Sequence, residues 1–231
     1  GEAIRPQSVE DAGASLRASR VAKLDGTRLN LGDARCLVLA AGLQHTTTLQ
    51  ELTLWKNGIG LQGIKSLAGV ISALPKLRVL NLYRNRLQDA GTELLAKSLA
   101  NGRCQLATLW LGDNQITQLP DAILQITTLQ KLFLNENRLE TVPAELAQMP
   151  NLKAVDLDSN PLVGLPGDLY MRGLTRLPGP RWELLSQFLL TSLEPPPQPE
   201  EPPMLVADKT EGADLTGEDG EAEGGKEDGA E

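Results

Sequence analysis

Leu49 to Gly60 reads LQELTLWKNGIG, and near-copies of this stretch return down the chain. LRVLNLYRNRLQ begins at Leu77, LATLWLGDNQIT at Leu106, LQKLFLNENRLE at Leu129 and LKAVDLDSNPLV at Leu152. Each fits LxxLxLxxNxL, with Ile or Val allowed at the apolar places. Alternating leucines such as Leu52 and Leu54 turn one face of a short strand toward a core. A unit this small cannot bury that face alone, so the copies predict strands stacked side by side in one parallel sheet. The expected fold class is α/β: a solenoid with a parallel sheet along its concave side and helices on its convex side.

A degenerate earlier copy, SRVAKLDGTRLN, aligns from Ser19 with Ala22 and Leu24 inward and Thr27 at the asparagine place. Together these copies resemble the leucine-rich repeat family from Ser19 to about Tyr170. The starts at Ser19, Leu49, Leu77 and Leu106 lie 30, 28 and 29 residues apart, and the segments GIKSLAGVISAL and AGTELLAKSLA read as amphipathic helices. This half resembles the ribonuclease-inhibitor subclass. From Leu106 the period shortens to 23, and QLPDAIL, TVPAELA and GLPGDLY appear. Pro120, Pro143 and Pro166 stand where a short turn begins, as proline does at a first helical position. That half resembles the shorter repeats of Ras-associated leucine-rich repeat proteins.

The divisions expected are an N-terminal helical cap or truncated repeat (1–18), six repeats (19–48, 49–76, 77–105, 106–128, 129–151 and 152–170), a C-terminal capping helix (171–194) and a tail (195–231). DAGASLRAS, from Asp11, resembles the helix DAGTELLAKS of a full repeat, and PRWELLSQFLLTSL, from Pro180, carries an apolar stripe suited to a lid. The chain starts at Gly1, which reads as a fragment of a longer solenoid, a processed form or a chain carrying an expression scar. Residues 195–231 hold twelve acids against two lysines, so the overall charge of −8 divides into an acidic tail and a nearly neutral body. Low hydrophobicity with high charge predicts disorder for that tail.

Few signs of chemistry are present. Asn57, Asn85, Asn114, Asn137 and Asn160 fall where the chain leaves each strand, where a buried amide satisfies turn backbone. His45 is the only histidine and has no partner in the pattern; no phosphate loop or metal-ligand spacing occurs. Asp156 and Asp158 share a strand face, as solvated carboxylates at an edge. No enzyme activity, metal or cofactor is expected. The absence of a basic stripe argues against nucleic acid. The longest apolar run, CLVLAAGL, is far short of the ~20 residues of a membrane span. Two cysteines without paired spacing suit a reducing, cytoplasmic location, with nucleus and cilium as alternatives.

In leucine-rich repeats the strand residues between the leucines face the concave side. The resemblance therefore places Trp55, Tyr83, Trp110 and Phe133, four of the seven aromatics, on four consecutive strands of that face. Solvent-facing aromatics grouped in this way have the composition of a binding hot spot; stacking on one another for stability is the competing reading. The stripe steps sideways between Tyr83 and Trp110, and Gly112 leaves a gap there. Lys23 and Asp25 of the first copy belong to the same face. The eighth places run Lys56, Arg84, Asp113, Glu136, basic to acidic, which would orient a charged partner. The function expected is a non-enzymatic module that binds a protein through these eight residues. Alternatives are a GTPase regulator of the kind that activates Ran, whose family joins long repeats to an acidic tail, with a small GTPase as partner, and a structural subunit of a cytoskeletal or ciliary assembly.

Overall fold

In a computed structural model, residues 2–17, 20–163 and Gln187 are described. Seven strands form one parallel sheet in sequence order: β1 (Glu2–Ile4), β2 (Val21–Asp25), β3 (Glu51–Thr53), β4 (Val79–Asn81), β5 (Thr108–Trp110), β6 (Lys131–Phe133) and β7 (Ala154–Asp156). Four helices pack on one another in order along one side: α1 (Val9–Arg17), α2 (Cys36–Leu43), α3 (Leu61–Ala73) and α4 (Gln88–Ala100). After β5 the returning segments contract to short 3-10 turns, Asp121–Gln125 and Ala144–Gln148, each entered from a proline, Pro120 and Pro143. The chain divides into units Gly1–Pro195 and Pro196–Glu231. The capping helix expected at 171–194, apart from helical Gln187, and the tail expected from 195 lie outside the described residues.

One aliphatic core runs along the sheet. The paired leucines of each strand, Leu52 and Leu54, Leu80 and Leu82, Leu109 and Leu111, Leu132 and Leu134, are all fully buried. Removing such side chains from water contributes roughly 1.5–3 kcal/mol apiece. The helices press close where side chains are absent: a Cβ on Gly42 of α2 would lie 2.9 Å from the Cα of Gly13 in α1.

The asparagines stitch successive repeats together. Asn85 Oδ1 accepts from the N–H groups of Asn57 and Ile59 at 3.1 and 3.0 Å, and its Nδ2 donates to the carbonyls of Leu54 and Leu82 at 3.0 and 2.9 Å. Asn137 repeats this with the N–H groups of Asn114 and Ile116. Buried turn backbone that no sheet bond reaches is thereby satisfied.

One feature adds to the sequence reading and a second corrects it. First, residues 1–18 contain a strand as well as a helix, and β1 pairs with β2 in parallel, so this segment adds its own layer to the sheet. Second, the first repeat sits two residues later than its alignment from Ser19. Leu24 pairs with Leu52 and Lys23 with Glu51, so Val21 is equivalent to Leu49. The cause is Gly26, which occupies the place of Leu54: with an apolar residue missing, Leu24 could be matched to either inward position. A Cβ at Gly26 would meet Leu54 Cδ2 and the Thr53 carbonyl oxygen at 3.1 Å. In the corrected register Leu31 closes the motif, and its N–H is the one that reaches Asn57 Oδ1, at 3.4 Å.

Candidate protein-binding face

The residue that follows each strand's outward side chains has one conformation throughout. Arg28, Lys56, Arg84, Asp113, Glu136 and Ser159 are left-handed, with φ between 49° and 58°. A non-glycine residue there costs roughly 1 kcal/mol. The turn is held because its N–H donates across to the next repeat: Arg28 to the carbonyl of Trp55, Lys56 to Tyr83, Arg84 to Gly112 and Glu136 to Asp158, all within 2.7–3.0 Å. This repeated turn aligns one side chain per repeat in a row along the strand ends. Arg28 heads the row. The sequence alignment missed it because its register was two residues off; matching Leu31 to Ile59 would have found it.

The four aromatics form two pairs, all half-buried. Trp110 and Phe133 lie flat on one another, centroids 3.6 Å apart and planes within 7°. Trp55 and Tyr83 are tilted, centroids 6.3 Å apart at 57°. The Arg28 guanidinium lies over the Trp55 ring, 5.1 Å from its centroid, a cation–π arrangement. The Trp55 indole N–H is buried and has no acceptor.

The gap expected beside Gly112 is filled. A Cβ on Gly112 would sit 2.5 and 2.6 Å from Tyr83 Cε2 and Cδ2, because the tyrosine ring lies across this glycine. Beyond it, Tyr83 Oη–H donates to Glu136 Oε1. Burial, followed by the Glu136 carboxylate that accepts this proton, pushes the phenol up to about 12.

The charge row is partly neutralised from within. Arg84 Nε and Asp113 Oδ2 pair at 3.2 Å, and Glu136 is engaged by Tyr83 and by Asn135 Nδ2 at 3.3 Å. Lys23 pairs with Glu51 at 2.7 Å, and Arg5 with Asp25 at 3.6 Å. Among the described residues neither Arg28 nor Lys56 has a carboxylate within ion-pair distance. The unspent positive charge therefore sits at the Arg28–Lys56 end, around Trp55.

At the opposite end, Asp156 does not behave as a solvated edge carboxylate. It is 8% exposed, and its Oδ1 accepts from the N–H of Asp158 at 3.1 Å. Among the described residues there is no cluster of three or more His, Cys, Asp or Glu able to hold a metal, and no helix long and apolar enough to cross a membrane. His45 is exposed beyond the end of α2. On the convex side, α4 and the 3-10 turn at Asp121–Gln125 border a hollow of about 610 Å³, lined by Asp89, Glu93, Lys97, Leu119 and Asp121 among others. It lies where a 13-residue helix is followed by a five-residue turn that covers less of its flank.

A family model of the leucine-rich repeat matches residues 104–162, and a second such model matches 45–68 and 73–96. The chain is 36% identical over 96 residues to the ribonuclease inhibitor of Mus musculus, covering 41% of this chain and 21% of that protein. It is 37% identical over 105 residues to the ribonuclease inhibitor of Sus scrofa, covering 45% and 22%. NACHT, LRR and PYD domains-containing protein 12 of Homo sapiens is 38% identical over 96 residues, 41% of this chain and 9% of its own length. The chain thus spans about a fifth of the ribonuclease inhibitors it matches. A solved leucine-rich repeat protein of Leptospira interrogans aligns over 78% of this chain and 61% of its own, at 20% identity and a TM-score of 0.33.

Proposed function

We propose that this chain, which leucine-rich repeat models match over residues 45–68, 73–96 and 104–162, is a leucine-rich repeat protein and a non-enzymatic module that holds a protein partner against the concave face of its sheet, the side opposite the helices. Leucine-rich repeat proteins in general mediate protein–protein contacts through that face. The observation that carries the reading here is the pair of half-exposed aromatic couples on four adjacent repeats: Trp55 and Tyr83 just past the ends of β3 and β4, not on the strands as expected, and Trp110 and Phe133 at the ends of β5 and β6. Each such side chain can bury about 150–250 Å² when covered. Rigid rings already packed against one another lose little side-chain freedom on binding, which favours them as anchors.

The repeats before Leu106 belong, on this reading, with the ribonuclease-inhibitor type and those after it with the shorter Ras-associated type. The 13-residue helices α3 and α4 against five-residue 3-10 turns support that division. A reducing compartment suits the two buried free thiols, Cys36 and Cys104.

The test is capture from native extract on the wild-type chain and on Trp55→Ala/Tyr83→Ala/Trp110→Ala/Phe133→Ala, with circular dichroism confirming that the variant folds. A partner that is lost with the rings supports the reading. Retention of every captured protein would assign the aromatics to stability alone.

A further inference from the structure

We infer that the partner presents an acidic, extended segment to the Arg28–Lys56–Trp55 corner of this face. The inference rests on the concave-face reading above and adds the chemistry of what docks there. Two independent observations carry it.

The first is the row of left-handed turns. Arg28, Lys56 and Arg84 occupy the same turn position in three successive repeats, and their N–H groups are spent on the next repeat's backbone, which leaves only the side chains to meet a ligand. Adjacent strands lie roughly 4.8 Å apart, so the three cations head a row about 10 Å long. Arg84 already has Asp113 as a counter-ion, but Arg28 and Lys56 have none within ion-pair distance among the described residues. A carboxylate brought by a partner gains both of them. In an extended chain, residues two apart point the same way and stand roughly 6.7 Å apart. Two acids at that spacing reach Arg28 and Lys56 together. The acids belong at one end of the segment, because Asp113 and Glu136 repel them farther along the row.

The second is the Trp55 indole. Its N–H is buried without an acceptor, which costs roughly 1–3 kcal/mol compared with a paired donor. The ring lies between Arg28 and Tyr83. The nitrogen is covered in the free protein, so a partner's carboxylate or carbonyl oxygen supplies the missing acceptor only as the side chains over it move aside. The Arg28 guanidinium carries five N–H donors, none of them used by its ring contact, and a guanidinium binds carboxylate planes in bidentate fashion.

A random decapeptide display library selected on the full, immobilised wild-type chain tests this. The expected result is enrichment of Asp or Glu at positions two apart. The enrichment should vanish on Arg28→Glu/Lys56→Glu, and the selected peptide, synthesised and titrated, should bind that variant at least tenfold more weakly. Arg28→Gln/Lys56→Gln should give an intermediate loss, with both variants checked for folding by circular dichroism. Selection of neutral or basic peptides that need Trp55 and Phe133 would overturn the acidic class and leave the concave face standing. Acidic peptides indifferent to both the charge reversal and the aromatic substitutions, or no enrichment at all, would overturn both.

Discussion

Tyr83 reaches over a whole strand to donate its phenolic proton to Glu136 Oε1, two repeats away in sequence order, at 2.5 Å. The path exists because Gly112, on the intervening repeat, has no side chain. Its absent Cβ would be 2.7 Å from Asn135 Oδ1 as well as against the tyrosine ring. One glycine thereby lets a long-period repeat grip a short-period one on the open face.

Gly112→Ala should therefore destabilise the protein by roughly 1–3 kcal/mol, the usual cost of forcing atoms into a packed site. Urea unfolding of Gly112→Ala, Tyr83→Ala and the double variant checks it. Once the ring is gone the added methyl has only Asn135 Oδ1 left against it, so the double variant should be more stable than the sum of the two single losses implies. A purely additive result would mean that Tyr83 does not occupy the space over Gly112.

Asn137 accepts from two backbone N–H groups and donates to the carbonyls of Leu111 and Leu134. Asn160 donates to the carbonyls of Leu134, Leu157 and Asp158, but among the described residues its Oδ1 accepts only from the N–H of Leu139, and it is half-buried rather than buried. Asn137→Ala should cost more than Asn160→Ala, at roughly 1–3 kcal/mol for each buried group left unpaired. Denaturant midpoints order the two directly; the reverse order would show that the ladder's strength does not follow burial.

Asp89 links α4 to the segment that follows Asn114. Burial works to raise its carboxyl, but bonds from Thr117 Oγ1–H and from the N–H groups of Thr117 and Gln118 outweigh that, and the net shift is downward. A depressed carboxylate stabilises the fold fully above the unfolded value, near 3.9, and loses that contribution as pH falls through the folded value. The stability difference between wild type and Asp89→Asn should accordingly be largest at neutral pH and shrink by about pH 3. Urea midpoints across that range would expose a gap that stayed constant, and with it the failure of the charge argument.

The sequence made the sheet legible because its information is local and repeated: each leucine of LxLxL has the same inward task five times over. The asparagine ladder was legible for the same reason. What it hid were relations that depend on a missing atom. Gly26 removed an inward leucine and slid the first repeat's register, which concealed Arg28. Gly112 looked like a gap, although the tyrosine at the same place in the neighbouring repeat fills it. The β1 strand was invisible because EAI carries no leucine pattern, and its pairing with β2 comes from position at the end of the stack. Asp156 read as an exposed carboxylate because alternation alone does not say that the last described strand buries its outward side chain.

The buried thiols offer a readout of local opening. Burial, helped by the nearby negative charge of Asp33, pushes Cys36 up to about 12, and its Sγ–H donates to the carbonyl of Gly32 at 3.0 Å. Burial likewise raises Cys104. Only thiolate attacks a disulfide reagent, so the raised value leaves the folded Cys36 far less reactive at pH 8 than a free thiol. Labelling by an aromatic disulfide should thus be far slower in the native protein than in urea. Any labelling below the unfolding midpoint must pass through an opening that frees the thiol from its packing. Cys36 sits among α1, α2 and α3, away from the Asn137 turn, so Asn137→Ala should speed its labelling only to the extent that it lowers global stability. Comparing the labelling rate with the urea-derived free energy for both proteins separates the two routes: equal ratios mean that Cys36 opens with the whole solenoid, and an unchanged rate in Asn137→Ala means that the N-terminal layers open on their own.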